Sequence, residues 1–177
     1  MDWYDWVAQG VGLLGTLAYL VSFQIRKQRT FFLVQSLAGL LFTVNMYMLG
    51  AYTGCLLNFG NVIRSVFIVS KNEKMHHPVF LVLVELYFIA VTVFTFNGFP
   101  SIIGLIPQLV SSAVMWYCGG KAIRMTQLFL NSPCWLTHNI IVGSIGGVLC
   151  EIINIISTVV SLIRFRRTGY EEMNKTE

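Results

Sequence analysis

The chain reads as an all-α polytopic membrane protein with seven transmembrane helices, its N-terminus outside and its C-terminus cytoplasmic. Of its 177 residues 55% are hydrophobic and only 11% are charged, which leaves little polar surface for a soluble domain. Seven apolar stretches recur, each near the roughly 17–25 residues that cross about 30 Å of hydrocarbon. The twelve Lys and Arg gather at alternate boundaries between them, and cytoplasmic loops are the ones that retain basic residues.

The first stretch, 6–23, follows Asp2 and Asp5 instead of a basic region and meets no small-residue cleavage site, so it is expected to remain as a helix. Arg26, Lys27 and Arg29 mark its inner end. Stretch 31–49 returns outward and 52–69 runs inward, with Arg64 near the inner end, where its guanidinium is expected to extend toward the headgroups. Lys71 and Lys74 follow, and His76 and His77 before Pro78 read as solvated loop residues without metal-ligating companions. Stretches 79–96, 102–117, 125–142 and 146–163 complete the set, with Lys121 and Arg124 between the fifth and sixth and Arg164, Arg166, Arg167 and Lys175 after the last. The tail 168–177 is expected to lie disordered in the cytoplasm.

Net charge of +4 is explained by basic fringes facing an anionic leaflet, so no nucleic-acid partner is expected. Cys55, Cys118, Cys134 and Cys150 have no paired spacing, and neither a disulfide framework, a metal site nor a cofactor is predicted.

A gap-free shift of 93 residues places Gly50 on Gly143, Gly54 on Gly147, Asn61 on Asn154, Val66 on Val159 and Lys71 on Arg164. The shift predicts two three-helix bundles, 1–74 and 101–167, joined by a loop and linker helix over 75–100. An odd linker makes both bundles cross in the same direction, as parallel repeats about an axis normal to the membrane.

Polar residues in these bundles fall on helical faces. Asn58, Asn61 and Ser65 share one side of the third helix, and Glu151, Asn154 and Thr158 take the same spacing in the seventh. Lipid satisfies neither amide nor carboxyl, so both faces should point inward. One reading is a midplane solute site with Glu151 as a charged or proton-carrying group; the other is interhelical hydrogen bonding that fixes packing. Arg64 is a candidate ion-pair partner or gate for Glu151. Glu85 shares a face with Thr92 and is a second candidate of that kind. His138, a further candidate for the solute site or else a hydrogen-bonded structural histidine, and Asn139 follow Pro133, which removes a backbone hydrogen bond and should bend the sixth helix. Gly143, Gly146 and Gly147 should permit a short turn and close approach of the seventh helix.

Trp135-Leu136-Thr137-His138-Asn139, Gly143-Ser144-Ile145-Gly146-Gly147 and Glu151 strongly resemble the YgjV-like family of bacterial inner-membrane proteins. Ala8-Gln9-Gly10-Val11-Gly12, Asn61-Val62-Ile63-Arg64 and Ile163-Arg164-Phe165 extend the resemblance over almost the whole chain. It implies a compartment, the bacterial inner membrane, and no substrate. A weaker similarity, to PQ-loop and SWEET-like transporters, rests on the three-plus-one-plus-three arrangement and on Pro107-Gln108 as a helix-bending motif. It implies solute contact at Asn61 and Asn154. Leu14 and Gly15 stand at the first-repeat positions, so the motif is not doubled.

No phosphate-binding loop, His-Glu-x-x-His or Gly-x-Ser-x-Gly occurs, and the chain reads as a non-enzyme. The expected function is a permease for a small polar solute, with a receptor, scaffold or accessory subunit as the alternative. Expected partners are the bilayer, that solute and, as an open alternative, further copies of the chain.

Overall fold

Burial is inverted relative to a soluble protein. Phe94 and Val93 are 87% and 67% exposed, whereas fifteen of the described residues that are buried are polar or charged, against eleven hydrophobic ones. A solvent of acyl chains rewards this arrangement, because it wets the apolar rods and forces polar groups to find partners inside.

The computed structural model describes residues 3–22, 28–70, 77–118 and 120–168. Among them the regular elements are all helical: α1 (Trp3–Ser22), α2 (Gln28–Met48), α3 (Tyr52–Val69), α4 (Pro78–Phe94), α5 (Phe99–Tyr117), α6 (Gly120–Thr126), a π-helical turn (Gln127–Asn131), α7 (Ser132–Val142) and α8 (Ile145–Thr168). Thr126, Asn131 and Ser132 keep right-handed helical dihedrals, so α6, the π turn and α7 form one rod. Seven rods therefore stand where seven apolar stretches were expected. Among the described residues Phe99–Tyr117 alone is long and apolar enough to qualify as a span by itself; Leu33–Met48, Pro78–Phe94 and Ile145–Val160 are shorter apolar helical stretches.

Local chemistry sets the ends. Pro78 opens α4 while the His77 ring accepts from the Val79 N–H at 3.3 Å, a cap and a first-turn proline together. Gly143 ends α7 at φ 73°, a left-handed conformation that glycine takes without a Cβ penalty. Ser144 then caps α8, its hydroxyl accepting from the Gly147 N–H at 3.1 Å. The expected bend at Pro133 takes the form of the π turn: the Ser132 N–H reaches back five residues to the Gln127 carbonyl, and the next residue has no N–H to continue the ladder.

Packing order fixes the architecture. α1 lies on α2, α2 on α3, α3 on α5, α5 on the α6–α7 rod, that rod on α8, and α8 back on α1, while α4 packs against α3 and α5. Leu57, Val84, Phe88 and Trp135 make an apolar cluster joining α3, α4 and α7. Gly60 lets α4 come close, since a Cβ there would meet the Phe88 and Tyr87 rings at 2.5 Å.

Two expectations change. Arg64 does not extend toward headgroups; it is buried, and its Nη1 donates to Ser112 Oγ at 2.9 Å, a fixed acceptor nearer than the membrane surface. α8 continues to Thr168, so Arg164, Arg166 and Arg167 lie on helix. Arg26, Lys27, Lys71, Lys74, Lys175, His76 and the tail from 169 onward fall outside the described residues.

Candidate functional site

α3 and α5 run side by side in one direction. Thr53 meets Ser101 with their hydroxyls 3.0 Å apart, and Arg64 meets Ser112 eleven residues further along. Between these contacts a Cβ at Gly104 would sit 3.0 Å from Leu57 Cδ1. Pro107 and Gln108 stand on the buried face of α5. Space for His138 is made by glycine on both sides: a Cβ at Gly54 would lie 2.6 Å from its Cε1 and one at Gly104 would lie 3.6 Å from its Cδ2. The imidazole also meets the Trp135 ring edge-on, with centroids 5.0 Å apart.

Polar atoms concentrate in this seam without being matched. Asn61 Oδ1, Arg64 Nε, Gln108 Oε1 and Nε2, Ser111 Oγ and His138 Nδ1 are buried and accept or donate no hydrogen bond. Gln108 is 1% exposed, so lipid and bulk water are both out of reach. Asn58 is turned onto its own helix, donating to the Gly54 carbonyl at 3.1 Å. Ser111 also lines a shallow indentation with Val114, Met115, Ile123, Thr126 and Gln127.

The second polar face lies across the ring. Asn154 Nδ2 approaches Glu151 Oε2 at 3.4 Å, the Ser132 hydroxyl bonds the same carboxyl, and the Tyr19 hydroxyl of α1 bonds Asn154. Ser132 accepts in turn from Gln127 Nε2 at 3.0 Å, while Gln127 Oε1 accepts from Asn131 Nδ2 at 2.8 Å. The π turn thus supports Ser132, the α7 residue that stands beside Glu151. Arg64 and Glu151 have different partners and do not pair. Glu85 is half-buried on α4, beside the strip of Leu81, Phe88 and Thr92.

α1 and α8 meet differently. A Cβ at Gly146 would stand 2.3 Å from the Gly12 carbonyl carbon, so the two backbones touch. Thr16 Oγ1 bonds the Gly146 carbonyl at 2.7 Å. Gln9 spans the α7–α8 turn, donating to the Gly143 carbonyl at 2.8 Å and accepting from the Ile145 N–H at 2.9 Å. Asn45 of α2 donates to the Ala8 carbonyl and accepts from Ser144 Oγ, both at 2.7 Å. Here the expected close approach of the seventh span is observed.

Of the residues singled out in the sequence, His138 meets α3 and α5 at Gly54 and Gly104, Arg64 meets α5 at Ser112 two turns further along, and Asn154 joins Glu151. Gln108, Ser111, Ser112, Gln9 and Asn45 were not singled out as site residues. Gln108 carried a usable signal, being an amide on the same face as Ser111 and Ser112 within an apolar span.

A family model described as a bacterial inner membrane protein, Imp-YgjV, matches residues 6–169. Inner membrane protein YgjV of Escherichia coli strain K12 is 27% identical over 162 residues, which cover 92% of this chain and 86% of that protein. No solved structure matches the chain significantly. With a full-length family match over a bundle whose surface is apolar and whose interior is polar, the chain belongs to the YgjV family of multi-pass proteins of the bacterial inner membrane.

Proposed function

We propose that this protein is a permease for a small polar solute, which binds at mid-depth between two parallel three-helix units, 1–74 and 101–167. The observation that carries the reading is the set of buried atoms without partners on Asn61, Arg64, Gln108 and Ser111. Polar groups that serve only to fix helix packing complete one another's hydrogen bonds, and a buried orphan costs about 1–3 kcal/mol. A site whose ligand completes the bonding has reason to keep that cost. The packing order supports the paired units: adding 93 carries α1 to α5, α2 to the α6–α7 rod and α3 to α8, and the neighbour order is unchanged by the exchange.

Uptake into proteoliposomes with a broad panel of polar solutes tests the reading, with Asn61→Ala and Asn154→Ala compared against wild type. Both substitutions are expected to reduce uptake more than thermal stability. Stability losses without any uptake in the wild type would favour the second reading, a scaffold or accessory subunit, which the tight α1–α8 contact supports.

The proposed orientation has the α4–α5 turn outside and the end of α5 inside. Cys118 is free and exposed. It should react with an impermeant thiol reagent only after permeabilisation, whereas Asn97→Cys in a Cys118→Ser background should react in intact cells. The reverse labelling would invert the topology.

A further inference from the structure

We infer that the α3–α5 seam binds a small carboxylate carrying a neighbouring hydroxyl or amino group, with Arg64 as its anchor. This deepens the proposed function by naming the solute class, and it rests on that reading only for transport, not for binding.

The argument is one of complementarity. Arg64 is buried with one guanidinium bond, to an uncharged hydroxyl, and its Nε is unused. Among the described residues no carboxylate pairs with it; Glu151, the acidic residue of the opposite polar face, is bonded to Asn154 and Ser132. A guanidinium in a water-poor interior calls for a compensating anion, and its planar fork suits carboxylate geometry. The remaining orphans divide into two kinds. Gln108 Nε2 and Ser111 Oγ are donors, which suit the oxygens of the same carboxylate. Gln108 Oε1 and Asn61 Oδ1 are acceptors, which a simple anion leaves unsatisfied and an adjacent O–H or N–H would complete.

Placement agrees. Ser112 Oγ bonds the carbonyl of Gln108 one turn away at 2.7 Å, and Asn61 precedes Arg64 by one turn, so the orphans span about 6 Å of helix axis. Ser111 also borders a shallow indentation on the α5–α6 side, with Gln127 of the π turn among its other lining residues.

Binding can be read without transport, as ligand-dependent thermal stability of the full chain in nanodiscs. The probes are lactate, alanine, propionate, lactamide and sodium chloride at matched ionic strength. Lactate or alanine should raise the midpoint saturably and by more than propionate, and lactamide and chloride should leave it unchanged. Arg64→Gln should abolish the shift. Because that variant is at risk of misfolding, Gln108→Met provides the second arm: it should fold, with a higher midpoint without ligand and about ten-fold or more weaker half-saturation.

Equal shifts with lactate and chloride, an equal shift with lactamide, or a shift retained in Arg64→Gln would overturn the assignment. So would the absence of any shift. Uptake of a neutral solute without carboxylate binding would overturn it while leaving the permease reading intact. Carboxylate binding without uptake of any solute would support the site and remove the permease.

Discussion

The α1–α8 and α3–α5 contacts are both made by two helices at opposite sides of the same ring, yet they finish their chemistry differently. At α1–α8 the backbones touch through Gly12 and Gly146, and Gln9, Thr16, Asn45 and Ser144 all bond across helices. At α3–α5 one end is bonded through Thr53 and Ser101, while further along Asn61, Arg64, Gln108 and Ser111 keep unused valences. Polar residues in a membrane interior therefore divide by whether their bonds close within the protein. The closed contact serves as architecture, and the open one is where the proposed ligand would complete the bonding.

Substitution at the glycine crossing should break the contrast most severely. In Gly146→Ala a methyl group meets backbone at 2.3 Å, with no flexible side chain to yield. Overpacking of this kind costs about 3 kcal/mol, so the variant should lose most of its monodisperse yield in detergent. Normal yield would mean that α1 and α8 are not locked.

A matched pair of substitutions sharpens it. Gln9→Met leaves the Gly143 carbonyl and Ile145 N–H without their partner and should destabilise by about 2 kcal/mol. Gln108→Met removes two atoms that have no partner and should stabilise by about 1 kcal/mol. Chemical denaturation in mixed micelles reads both, and the same sign for both would erase the distinction between the contacts.

Smallest of all should be Asn61→Ala. It deletes an oxygen without a partner at a half-buried position, so stability should move by less than about 0.6 kcal/mol, the usual size of an intramembrane side-chain bond. A larger loss in a thermal melt would assign Asn61 to packing.

The rods were legible because acyl chains impose a length and an apolar surface, which composition displays directly. Gly143, Gly146 and Gly147 were legible for a similar reason, since a missing side chain in a polar-flanked turn has few uses. The partners of Gln9 and Asn45 were not, because their bonds to residues 143–145 join segments about a hundred or more positions apart and depend on which rods become neighbours. Asn61 and Asn154 look equivalent along the chain at a shift of 93; Glu151 already lies one turn from Asn154 in the sequence, but only the fold adds Tyr19 to that face and leaves Asn61 Oδ1 alone. Arg64 was misplaced by the general habit of long basic side chains to seek the headgroups. A hydroxyl on a neighbouring helix captured it first.

The bonds at the head of the α3–α5 contact have a mechanical meaning. Thr53 Oγ1 donates to the Thr95 carbonyl at 2.7 Å and shares a 3.0 Å contact with Ser101, whose hydroxyl accepts from the Asn97 N–H at 2.9 Å. Three helices are thereby riveted at one end, with Arg64 eleven residues, about 16 Å, down the shaft. A splay of about 10° around that rivet opens the jaws by about 3 Å at Arg64, roughly one water diameter, while the riveted end stays shut. Any separation of the two helices is therefore expected at the Arg64 end and not at the Thr53 end.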